Sequence, residues 1–236
     1  MQEEHINYYS HSLGRNIEVV KHGHWGYPVL LFPTSMGNVY QNKDFGLLDT
    51  IKHRIDGGEL KIFSVASIDF ESFYGKHLSP NIKIYNYYLY AKFLHEELVP
   101  YIKRECNVDR IGIAGCSFGA YHAANYAFKY PDDINFLISM SGAYSISSFM
   151  NGYYDDNVYF NNPVDFMKNA ESWKYNHMKI VLGTSEWDIC KKDNIEMSRL
   201  LGDKQIAHWY DEKKWIEHDW PLWKMAFPEY LNAFHP

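Results

Sequence analysis

Short, almost wholly apolar runs recur along this chain, separated by longer stretches of mixed character. The runs "VLLF" (29–32), "LKIFSVA" (60–66), "RIGIAG" (110–115), "NFLISMS" (135–141), "KIVLG" (179–183) and "AHWYD" (207–211) are too short for buried helices and are rich in β-branched and aromatic residues. They predict strands covered on both faces of a sheet. Between them, helices are predicted over "YNYYLYAKFLHEELVPYIKREC" (85–106), from Phe118 onward, and over "NIEMSRLL" (194–201). The last segment, "WPLWKMAFPEYLNAF", also reads as helix, with Pro228 expected to interrupt it. At the start, "NYYSHSLGRNIEVVKHG" reads as two strands around an "LGRN" turn, followed by a turn at "HWGYP".

Alternating strands and helices imply an α/β fold: a mostly parallel central sheet with helices on both faces, and an antiparallel N-terminal strand pair at its edge. In such sheets, sites lie beyond the carboxyl ends of the strands. Functional residues should therefore follow directly after strands. The segment from Tyr144 to Trp173 fits neither period and is rich in Asn, Asp and aromatic residues. It is expected to be an irregular excursion over that active-site edge.

Composition narrows the options. The 236 residues are 46% hydrophobic and 22% charged, without repeats or a linker-like tract, which implies a single domain over 1–236. No apolar run approaches the length of a membrane span, and the polar, acidic start "MQEEHINYYS" is unlike a secretory signal. With a net charge of −6 and no dense Lys/Arg cluster, neither nucleic acid nor an anionic membrane is an expected partner. Three cysteines, Cys106, Cys116 and Cys190, lack metal-ligand spacing and suit reduced core positions in a cytoplasmic protein. The 17% aromatic content leaves rings to spare for a binding surface.

Within "IGIAGCSFGAYHAANYAF" (111–128), Ser117 stands between Gly115 and Gly119, directly after a predicted strand. Ala120, Ala123, Ala124 and Ala127 then form a small-residue ridge that lets a helix lie close to a sheet. This is the strand–turn–helix setting of a nucleophile elbow. Its turn is strained at the serine, and side chains two residues to either side would collide. An ordinary glycine turn into a helix is the simpler alternative.

A serine nucleophile needs a base, and the base needs a carboxylate to fix its tautomer and offset its charge. In this architecture the acid follows the serine in the chain and the histidine comes last. After "KIVLG" the loop "TSEWDICKKDN" offers Glu186 and Asp188, with Asp193 a weaker third. After "AHWYD", His218 precedes the final helix, whereas His208 falls within the strand and His22 and His24 near a turn. The oxyanion of acyl transfer needs preorganised N–H donors. The Phe118 backbone N–H is one candidate, and the Ser35 N–H, in the "PTSMGN" loop after "VLLF", is the other.

At "GCSFGAYHAANYAF", "SGAYSISSFMNGYYDDNVYFNNPVDF", "GTSEWDICKKDN" and "HDWPLW" the chain resembles the α/β-hydrolase superfamily. Within it, the likeness is to the putative-esterase family of esterase D-like, feruloyl-esterase-like and mycolyltransferase-like proteins. The resemblance runs from about Val29 to the final helix. It implies the α/β-hydrolase fold and ester or thioester hydrolysis through an acyl-enzyme, without metal or organic cofactor. It places the nucleophile on Ser117, the acid on Asp188, the base on His218 and the oxyanion donors on Ser35 and Phe118. Where relatives carry His-Gly in the oxyanion loop, this chain has Pro33-Thr34, and Glu186 beside Asp188 keeps a second acid in play. Oligomers are common among such proteins, so a homo-oligomer is compatible with the resemblance.

The expected function is a serine carboxylic-ester hydrolase acting on a small-molecule ester. Tyr153 and Tyr154 of the excursion, and Trp220 beside the base, are candidates for substrate contact. Two alternatives remain open: acyl transfer to an alcohol from the same acyl-enzyme, and an inactive scaffold that binds a sugar or aromatic ligand. A metal hydrolase is disfavoured, because the sequence carries no H-E-x-x-H or other convincing ligand cluster.

Overall fold

The structure is a computed structural model that describes residues 1–235. Eight strands form one sheet: β1 (Glu3–Ser10), β2 (Arg15–His22), β3 (Tyr27–Phe32), β4 (Leu60–Val65), β5 (Ile111–Cys116), β6 (Ile134–Met140), β7 (Lys179–Trp187) and β8 (Trp209–Glu217). Their order is β1-β2-β4-β3-β5-β6-β7-β8. β1 pairs antiparallel with β2, and β2 antiparallel with β4; the other pairs are parallel. The five longer helices are α1 (Pro80–Phe93), α2 (Val99–Cys106), α3 (Phe118–Lys129), α4 (Lys191–Asp203) and α5 (Trp220–Phe234).

The apolar runs work as the pleat requires, sending alternate side chains to opposite faces. From β3, Leu30 and Phe32 enter the core on one face, with α1, α2 and α3, while Val29 and Leu31 enter the core on the other, with α5. β5 is buried along its whole length. Its Cys116 belongs to the α5-side core, and burial raises that thiol's pKa well above its ordinary value.

Several elements differ from expectation for identifiable reasons. β7 and β8 run on to Trp187 and Glu217, well past the apolar runs. β8 is an edge strand whose partly exposed "EKKWIE" carries the charges that keep such an edge from pairing with another chain. His208 lies just before β8, not inside it, and its Nε2 is 2.8 Å from the Ser198 hydroxyl. α1 starts at Pro80 and passes through a π-helical turn (Leu94–Leu98) into α2. α5 continues through Pro228. Leu222, Trp223, Ala226, Phe227, Tyr230 and Leu231 bury one face of it, and this packing outweighs the single backbone hydrogen bond that proline removes.

The Tyr144–Trp173 segment contains short helical pieces, at Ser147–Met150, Asp156–Phe160 and Pro163–Phe166. It leaves the carboxyl end of β6 near Ser117 and then runs alongside α3. Phe149 packs on Phe118 at its start, and the Asn161 backbone carbonyl accepts from the Tyr121 hydroxyl farther on. Among the described residues no helix is long and apolar enough to cross a membrane.

Candidate active site

Ser117 joins β5 to α3 with φ +56° and ψ −122°, a conformation that side chains seldom adopt. The surroundings demand glycine on both sides. A Cβ on Gly115 would strike the Gly119 carbonyl, and one on Gly119 would strike the Pro33 carbonyl. As the N-cap residue of α3, Ser117 would ordinarily spend its hydroxyl on a free helix N–H, but it makes no such bond. Its Oγ lies instead 2.9 Å from His218 Nε2.

His218 is the first residue beyond β8, and Asp188 the first beyond β7. Parallel neighbours that end together bring the two side by side, with His218 Nδ1 2.6 Å from Asp188 Oδ1. With Nδ1–H donating to the carboxylate, Nε2 is left to accept a hydrogen bond from the Ser117 hydroxyl.

The Asp188 side chain is fully buried, yet well supplied with donors. The Thr184 hydroxyl donates to Oδ2 at 2.9 Å and the Cys190 backbone N–H to Oδ1 at 2.7 Å. Burial pushes its pKa up, but the hydrogen bonds from His218, Ser141 and Cys190 outweigh burial and hold the carboxyl below its ordinary range. Ser141 is held in turn by Trp223 Nε1, at 2.9 Å, and the Trp223 ring packs edge-on against His218. Glu186 lies within β7, and its carboxylate faces the Trp215 backbone N–H at 3.4 Å, not the imidazole.

The Phe118 N–H is the first of α3, where helix N–H groups have no intrahelical acceptor. Among the described residues neither it nor the Ser35 N–H donates to a protein group. The Ser35 loop is tightly held. The Gln41 side chain accepts from the Thr34 N–H at 2.8 Å, Asp69 Oδ2 accepts from the Met36 N–H at 2.8 Å, and the Tyr74 hydroxyl donates to Ser35 Oγ at 2.9 Å.

Three aromatic neighbours escaped sequence reasoning because each comes from a distant segment. Tyr74 and Phe149 pack on Phe118, and Phe45 stacks on Trp220 with ring centroids 4.7 Å apart. Tyr153 and Tyr154 donate their hydroxyls to Asp155 and Asp165 inside the excursion, and no ring contact or hydrogen bond joins them to Ser117 or His218. Donor atoms of Asp188, Cys190 and His218 lie within 4.8 Å of one another. A divalent cation held there would displace the hydrogen bond between Asp188 and His218. Burial, with the nearby Asp188 and Asp193 charges, pushes the Cys190 thiol up to about 12.

Residues 45–234 match the family model described as "Putative esterase". No curated protein sequence matches the chain. Among solved structures, a ferulic acid esterase superposes with a TM-score of 0.79 at 17% identity, covering 99% of this chain and 97% of that one. An S-formylglutathione hydrolase from Staphylococcus aureus does so at 0.74 and 13%, covering 100% and 97%. Mycobacterium tuberculosis MPT51 gives 0.74 at 14%, covering 98% of each chain. The shared architecture is that of the α/β-hydrolases.

Proposed function

The chain belongs to the putative-esterase family and is a carboxylic-ester hydrolase, and we propose that it works through a Ser117–His218–Asp188 triad and an acyl-enzyme. The observation that carries this reading is the continuous hydrogen-bonded line from Asp188 through both imidazole nitrogens to a serine held at a strained elbow.

His218 Nε2 takes the Ser117 proton as Oγ bonds to the ester carbonyl carbon, and the carbonyl π electrons move onto oxygen. The N–H groups of Phe118 and Ser35 receive that oxyanion, and Asp188 offsets the imidazolium charge. The tetrahedral adduct then collapses. The carbon–oxygen bond to the alcohol breaks, and the leaving oxygen takes the proton from Nε2. Water repeats the sequence on the acyl-enzyme, giving its proton to Nε2, bonding to the acyl carbon and releasing Ser117 with its proton restored.

A fluorophosphonate probe tests the nucleophile. Labelled peptide from the wild type should carry the adduct on Ser117, and the Ser117→Ala protein should take up none. A folded wild type that does not label, or that labels elsewhere, contradicts the assignment.

A further inference from the structure

At the far end of α3 from Ser117, the structure holds a cavity of about 590 Å³ between the helix end and the excursion. Lys129 is twelve residues beyond Ser117, which at the helical rise sets the cavity roughly 18 Å from the nucleophile. Rings such as those of Tyr88, Tyr130 and Phe160 wall it, and Lys129, Asn157, Asn161 and Asn169 supply polar atoms. This size, with a mainly aromatic lining and polar groups at one lysine and three asparagines, is that of a small-molecule site.

Its Lys129 ammonium is poorly matched by the protein. The only protein hydrogen bond it makes among the described residues is to Asn161 Oδ1, at 3.0 Å. No carboxylate among them lies within 4.0 Å of it. Asn161 is itself locked in place, since its Oδ1 also accepts from Asn125, its Nδ2 donates to the Asn157 carbonyl, and its carbonyl accepts from Tyr121. The Lys129 charge also lies 5.5 Å from the centre of the Tyr130 ring. An ammonium has three donors, and here one is used. Burial lowers the Lys129 pKa to about 8, so the amine is still mainly cationic at neutral pH. Lys129 is half-buried; a cation partly removed from water without a counter-ion carries part of the desolvation cost, and a bound anion would offset it.

We propose that this cavity binds a small aromatic carboxylate, its ring against the aromatic wall and its carboxylate on Lys129. The site is separate from the reaction centre and does not rest on the serine mechanism.

The test uses full-length protein labelled with ¹³C at lysine Cε, titrated with benzoate and with its neutral counterpart, benzamide. The Lys129 resonance is identified by its loss in Lys129→Met, or in Lys129→Arg if the first variant does not fold. Benzoate should move that resonance saturably and bind at least about tenfold more tightly than benzamide, the worth of one charge-assisted contact. A resonance that benzoate leaves in place, or a preference over benzamide below tenfold, overturns the proposal. Because the readout is at Lys129 itself, benzoate held near Ser117 does not mimic a positive result.

Discussion

The Asp69 carboxylate accepts the Met36 backbone N–H at 2.8 Å and so ties the 68–72 turn to the loop that carries Ser35. Met36 has φ +55°, and this bond helps hold the peptide that leaves Ser35 in that unusual conformation. The other Asp69 oxygen is 3.1 Å from His122 Nε2, and His122 Nδ1 is 3.3 Å from the Tyr87 hydroxyl. Asp69 and His122 have no exposed side-chain surface. In the proposed mechanism this contact would make Asp69 a positioning residue for the Ser35 oxyanion donor. Asp69→Asn should lower kcat by about 10- to 100-fold, part of the value of a whole oxyanion donor, with little change in KM. Steady-state kinetics beside a melting curve checks this. A loss of stability with unaltered kcat in the folded fraction would make Asp69 merely structural.

Asp188 and Glu186 make opposite predictions. Asp188→Asn should cost about 10⁴ in kcat, because an amide no longer fixes the imidazole tautomer, and Glu186→Gln should stay within about threefold of wild type. Kinetics of the two variants on one ester substrate decides between them. Comparable losses in both would contradict the assignment of the acid.

The elbow makes a prediction about stability. Gly119→Ala drives a methyl group into the Pro33 carbonyl, and the nearest atoms it meets are all backbone, with no flexible side chain able to yield. A cost of about 3 kcal/mol, the upper end for overpacking, should lower Tm by roughly 6–12 °C in a chain of this length. Gly202→Ala, in an open position within α4, is the control and should leave Tm unchanged or slightly raised. Calorimetry on both variants reads the difference.

Acid sensitivity should trace in part to Glu105. Burial raises its pKa, but hydrogen bonds from Lys61, Tyr101 and Lys21 prevail and bring the carboxyl from 4.5 down to about 2. The folded form therefore holds this proton less tightly than the unfolded chain does. Its stabilisation is complete above the unfolded pKa and is lost as pH falls toward the folded value. Glu105→Gln should flatten the fall in Tm between about pH 5 and pH 3. An unchanged slope would place the acid-sensitive groups elsewhere.

The elbow was legible in the sequence because its requirements are local: a strand, two glycines at close approach and a small-residue ridge all lie between Ile111 and Phe128. The positions of Asp188 and His218 followed from the rule that sites gather at strand ends, although the strands run several residues past their apolar runs. The rest depends on tertiary contact. Asp69 and Met36 are 33 positions apart, and nothing in "SIDFES" marks its aspartate as the acceptor for a distant backbone N–H. Phe45 and Trp220 stack from opposite ends of the chain, and Lys129 reads as an ordinary basic residue at a helix terminus until the excursion folds over it. Pro228 misled for the same reason, since its neighbours' burial, which the local pattern does not price, keeps α5 whole.

The most direct test of the central claim is kcat/KM for hydrolysis of p-nitrophenyl acetate by wild type, Ser117→Ala and His218→Ala, each shown by circular dichroism to be folded. The triad predicts turnover by the wild type and a fall of about 10⁴-fold or more in both variants. A folded Ser117→Ala protein that keeps activity within about tenfold of wild type would contradict it.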